Sequence, residues 1–131
     1  ENVLEEQQIL GVMDRTYDTL EYAYPELEVI SPLLSANEMA TFNWNVSPGT
    51  RMVSNQFWVT KGHTIHIRST AIPDSSTYWI GIMDGLNNAR YVEGTGNLSH
   101  GFSITSSGHY RVFVQNKSSV QINAAGSYYF N

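Results

Sequence analysis

The sequence predicts a mainly β protein: a jelly-roll-like antiparallel β-sandwich of about eight strands with one N-terminal amphipathic helix. Three observations predict it. Residues 108–130, GHYRVFVQNKSSVQINAAGSYYF, alternate apolar and polar side chains on both sides of a polar turn, the period of two of a half-buried strand. Similar short runs recur from Thr41 onward, separated by Gly, Pro, Asn, Asp and Ser at the spacing of about 8–12 residues typical of sandwiches and barrels. Residues 3–24 instead carry a helical stripe.

In that stripe Val3, Leu10, Met13, Tyr17, Leu20 and Tyr24 fall on one side, interrupted by Glu6, with Glu5, Asp14, Asp18 and Glu21 off it. Early acids suit the positive end of a helix dipole, and Tyr24-Pro25 is a stop signal. A lone helix of this length is marginal in water, so the stripe needs cover. Its own sheet, a second copy and a partner chain are the alternatives. Residues 1–37 thus read as helix and connector, and residues 38–131 as a single sandwich unit.

Within the sandwich, Phe42, Trp44 and Val46 alternate with Asn43 and Asn45 before the Ser47-Pro48-Gly49-Thr50 turn. Met52 to Thr60 is the next predicted strand, with Phe57 and Val59 inward and Trp58 outward. After Lys61-Gly62, His63 to Ser69 places Ile65 and Ile67 inward and Thr64, His66 and Arg68 outward. Tyr78 to Met83 sets Tyr78, Ile80 and Ile82 against Trp79, Gly81 and Met83. Arg90 to Glu93 answers it across the Asp84-Gly85 turn, and Leu98 to Thr105 points Phe102 and Ile104 inward. The closing hairpin alternates Tyr110, Val112 and Val114 with Arg111, Phe113 and Gln115.

Between residues 52 and 130 four pieces stand out: FWVTKGHTIHI, YWIGIMDG, FSITSSGHYRVFVQN and the final GSYYF. In these the chain resembles the bacterial pre-peptidase C-terminal domain and related small secreted sandwich proteins of Gram-positive bacteria. Gly108, Tyr110, Val112 and Val114 stand where that family has G-x-Y-x-V-x-V. The resemblance implies a jelly-roll module associated with secreted enzymes, one that assists secretion or binds sugars or fibrous protein. Some relatives bind calcium through acids near the sandwich edge; here Asp74 and Asp84 stand singly.

Charge is uneven. Residues 1–30 hold eight acids against Arg15 alone, whereas residues 31–131 hold four acids and six bases. No Lys/Arg cluster is present, which argues against a nucleic-acid partner. No apolar run reaches the about 18 residues of a membrane span. The absence of cysteine excludes disulfides and thiolate metal sites. The chain begins at Glu1 without Met, so a leader is expected to have been removed by processing, and a secreted or cell-surface location is expected. The N-x-S sequons at Asn45, Asn97 and Asn116 matter only in a eukaryotic secretory route.

Catalytic sets are not anchored in this sequence. Serines, four histidines and a few carboxylates are present, but there is no G-x-S-x-G elbow, and geometry rather than inventory defines a triad. His63 and His66, three apart on a strand, lie on opposite faces and do not chelate together. The Asp84-Gly85-Leu86-Asn87-Asn88 turn is rich in oxygens; calcium binding and a purely backbone role both fit it. No catalytic residue, metal or cofactor is expected.

The outward aromatics and cations offer the best binding surface. Trp58, Trp79, Tyr91 and Arg111 are the predicted ligand-binding residues, suited to stacking on a sugar ring or meeting an acidic partner. Cover of this face by the acidic helix of the same chain is the competing reading. The expected function is a secreted, non-enzymatic sandwich binding an extracellular or cell-surface ligand, carbohydrate first. The alternative is a protein-interaction or structural module, with a homodimer as one form.

Overall fold

The computed structural model describes residues 9–13, 21–23, 34–86 and 88–131. The predicted alternation sorts side chains as expected. In β3 (Ala40–Val46), Phe42, Trp44 and Val46 are buried and Thr41, Asn43 and Asn45 exposed. In β6 (Thr64–Ile72), Ile65, Ile67, Ser69 and Ala71 turn inward, and Arg68, Thr70 and Ile72 face solvent. The other strands are β4 (Thr50–Val53), β5 (Phe57–Val59), β7 (Thr77–Met83), β8 (Ala89–Thr95), β9 (Asn97–Ser103), β10 (Gly108–Asn116) and β11 (Ile122–Phe130).

Two sheets result. One has four strands in the order β3-β11-β6-β9, all antiparallel. The other runs from β8 through β7 and β10 to β4, with β5 also paired to β10. Its two edges are taken by short extended segments, β1 (Ile9–Met13) beside β8 and β2 (Glu21–Ala23) parallel to β4. The main core lies between the sheets and includes Trp44, Phe57, Ile65, Ile67, Tyr78, Ile80, Ile82, Phe102, Val112, Val114 and Phe130.

The N-terminal helix expectation is corrected where the chain is described. Ile9–Met13 and Glu21–Ala23 are strands, and the remainder of residues 3–24 lies outside the described residues. The reason is physical. Gly11 costs a helix interior about 1 kcal/mol, Val12 is a poor helix former, and a sheet edge offers unpaired backbone groups to an extended segment.

The predicted strand from Met52 to Thr60 also divides. Ser54 N–H donates to the Val112 carbonyl at 2.8 Å, and Val112 N–H donates to the Ser54 hydroxyl at 2.9 Å. Ser54 thus marks where β10 changes partner, from β5 at Gly108–Tyr110 to β4 at Phe113–Gln115.

Candidate functional site

All four residues selected from the sequence lie on the outward face of the seven-stranded sheet, since they alternate with core residues of the same strands. Only Trp79 and Tyr91 come together. The Trp79 and Tyr91 rings stack on each other, centroids 3.8 Å apart and 15° from parallel. The Lys117 ammonium lies 4.7 Å from the Trp79 ring centre, and Trp79 Nε1–H donates to Glu93 Oε1 at 2.7 Å. Arg111 donates to the Ser54 carbonyl at 2.8 Å. Trp58, at the other end of the face, is 54% exposed, with its ring edge-on to His109.

Much of this face is interior. Phe113, expected outward, is fully buried with Val53, Met83 and Ala89 in a second apolar cluster. Arg51 is fully buried as well, its Nε–H donating to Gln115 Oε1 at 2.7 Å and its guanidinium 4.9 Å from the Phe113 ring centre. Of the four residues selected from the sequence, Trp58 is the open one; Trp79, Tyr91 and Arg111 are half-buried, and Lys117 and His109 are exposed beside them.

The outward face of the four-stranded sheet is different. Register sets Gly101, His66 and Tyr129 in one row across β9, β6 and β11, and Ser99, Arg68 and Ser127 in the next. From the middle strand Arg68 stands between two serines and His66 between Gly101 and Tyr129, and Met39 adds to the lining. The result is a groove of about 470 Å³. His66 and Tyr129 stack at 4.7 Å and 15°. The His66 Nε2 atom lies 2.9 Å from Asn131 Oδ1. A Cβ on Gly101 would come within 3.3 Å of His66 Nδ1, so the glycine keeps room for the ring. Past the groove the face is polar apart from the exposed Ile72: Asn123 Nδ2 donates to Asn43 at 2.7 Å and Asn45 at 3.0 Å, and Thr70 donates to Asn97 at 2.6 Å.

This arrangement stacks and hydrogen-bonds. It places the His66 imidazole, a phenol, a guanidinium and serine hydroxyls around an open trough, with His100 also in the lining, and no carboxylate lines it among the described residues. No cluster of three or more metal-ligating His, Asp or Glu side chains exists among the described residues. Asp84 works for its own turn: Oδ1 accepts from Leu86 N–H and Asn88 N–H at 2.9 Å each, and Oδ2 from the Asn88 amide at 3.2 Å. Nearby, a cleft of about 290 Å³ opens beside Ser106, His109 and Tyr110. Burial pushes the Tyr110 phenol up, the Asp84 carboxylate adds to that, and Arg90 opposes both.

The sequence grouped His66 and Arg68 with Trp58, Trp79, His109, Arg111 and Phe113 on one outward binding face; the topology instead puts His66 and Arg68 on the four-stranded sheet and the others on the seven-stranded one, and Tyr129, Ser127, Ser99 and Gly101 were passed over. Their signal was there, in small polar residues alternating with core residues on three strands. Only the register shows that they share one surface.

No protein-family model and no curated protein matches the chain. Among solved structures, the chain is similar to "Carbohydrate-Binding Module CBM36 in complex with calcium and xylotriose". The two are 10% identical, the match covers 76% of this chain and 77% of that one, and the TM-score is 0.39. Among the described residues no helix is long and apolar enough to cross a membrane.

Proposed function

We propose that this protein is an extracellular, non-catalytic carbohydrate-binding sandwich whose sugar lies in the groove across β9, β6 and β11. The observation that carries the reading is the stacked His66–Tyr129 pair beside the Arg68 and Ser127 positions in an open, polar trough. A pyranose ring needs an apolar platform for its C–H face and directional donors and acceptors for its hydroxyls, and the groove supplies both. The resemblance to the pre-peptidase C-terminal domain points to the same class of function. The residues first selected from the sequence define the competing surface, of which Trp58 is the open part.

A glycan-array screen with the wild type, Tyr129→Ala and Trp58→Ala tests the reading. Losing one aromatic platform costs about 1.4 kcal/mol, or roughly tenfold in affinity. The expected result is a hit weakened about tenfold by Tyr129→Ala and unchanged by Trp58→Ala. The reverse pattern would move the site to the other sheet. A silent array with folded wild-type protein, together with a concentration-dependent mass, would replace the reading with an interaction module.

A further inference from the structure

We infer that the groove prefers acidic saccharides, with a sugar carboxylate or sulfate meeting Arg68 while the ring rests on the Tyr129–His66 pair. This rests on the reading that the groove is the sugar site. Most other cations of residues 34–131 are already committed. Arg51 is buried against Gln115 and Phe113. Arg111 holds the Ser54 carbonyl, Arg90 the Ser103 carbonyl, and Lys117 the Trp79 ring. Lys61 sits in the turn between β5 and β6.

The Arg68 side chain is exposed on the groove and makes no hydrogen bond, ion pair or ring contact among the described residues. Its cross-strand neighbours are Ser99 and Ser127, where an exposed sheet position would ordinarily offer an acid to an arginine. None of the four acids of this region lines the groove. Glu93 holds the Trp79 indole and Asp84 its own turn. Asp74 is in the loop between β6 and β7, and Glu38, beside Met39 at the rim, accepts from Ser35 N–H at 3.1 Å. The groove is therefore a cationic spot on a chain of net charge −5. A guanidinium fork donates two parallel hydrogen bonds to two oxygens of a planar carboxylate or of a sulfate.

An exposed pair of this kind is weak and screened by salt, so the preference is about fivefold at low ionic strength. The test uses matched glycans in which only the charge differs: uronate oligosaccharides with their carboxyl-reduced partners, and sulfated oligosaccharides with their desulfated ones. Affinities are measured at low and high salt for the wild type and Arg68→Gln, with thermal melts as a folding control. The expected result is tighter binding of the acidic members. That advantage should vanish in high salt and in Arg68→Gln, while neutral binding is retained. The class that shows the advantage identifies the anion. Equal binding within every pair would overturn the inference and leave the carbohydrate reading standing. No binding of any glycan would overturn both.

Discussion

Asn116 offers the sharpest test of how the two sheets are held together. It ends β10 and is fully buried. Its Nδ2 donates to the Val46 carbonyl at 2.8 Å and to the Val120 carbonyl at 2.7 Å. Its Oδ1 accepts from Ser118 N–H at 2.8 Å and the Ser118 hydroxyl at 2.7 Å. Val46 is the last residue of β3, so one amide ties the seven-stranded sheet to the four-stranded one and shapes the β10–β11 connection. Asn116→Asp keeps the shape and the acceptor but removes both donors and sets a carboxylate oxygen against two carbonyls. Two lost hydrogen bonds at about 1 kcal/mol each, plus an unpaired Val46 carbonyl at about 1–3 kcal/mol, give a loss of roughly 3–5 kcal/mol. Urea unfolding followed by tryptophan fluorescence reads this as a midpoint about 1.5–2.5 M lower, for a slope near 2 kcal/mol/M. An Asn116→Asp protein within about 0.5 kcal/mol of the wild type would mean that this amide does not hold the two sheets together. The same burial removes the Asn116 sequon from any glycosylating enzyme acting on the folded chain.

Three further outcomes are expected. Burial pushes the Tyr78 phenol up to about 12, against an opposing hydrogen bond to Ser69. A folded pKa above the unfolded value near 10 leaves stability intact below about pH 10 and removes roughly 3 kcal/mol by about pH 12. Tyr78→Phe should flatten that decline, and urea midpoints falling in parallel for both proteins would exclude the phenol as its cause. At Gly126 an added Cβ would lie 1.9 Å from the Arg68 carbonyl oxygen, so Gly126→Ala must part β6 from β11. It should cost about 3 kcal/mol or more, seen as a lower Tm, and weaken glycan binding by displacing Arg68. Trp58→Ala removes an exposed ring and should change Tm by an amount equivalent to about 0.5 kcal/mol or less; a larger drop would mean that Trp58 packs structurally.

Alternation alone placed Phe42, Trp44, Ile65, Ile67, Tyr78, Ile80, Val112 and Val114 on the inner faces, because period two is a local property of the chain. The helix expectation failed where a non-local fact decides. Leu10 and Met13 fit a helical stripe, but β8 and β4 offered edges, and no local pattern announces an open edge. Phe113 and Arg111 read as one outward pair, yet Phe113 packs with Met83 in a second core. The site was legible only in part for a related reason. His66 was read as outward, but its partners Tyr129 and Gly101 come from strands 63 and 35 residues away.

The two outer faces of the sandwich solve different problems. On the seven-stranded sheet the outward rows carry Arg51, Gln115, Phe113 and Met83, side chains too large and too desolvated to be released without loss of stability. On the four-stranded sheet the inner face already holds the packing of β6, β9 and β11, through Ile65, Ile67, Leu98, Phe102, Tyr128 and Phe130. Its outward residues are mostly Thr, Ser, Asn, Gly and Ala around His66, Arg68 and Tyr129, with Ile72 as an exposed apolar side chain at one end, and most of them can be exchanged at a cost within about 0.5 kcal/mol. Gly101 is the exception on that face, since it makes room for the His66 ring. A groove built on such a face can change its ligand by substitution at Ser99, Arg68 or Ser127 while the core beneath is untouched. The same substitutions on the other face would have to be matched by repacking around Phe113. That difference in cost, more than any count of aromatics, is why the polar face is the better place to look for binding.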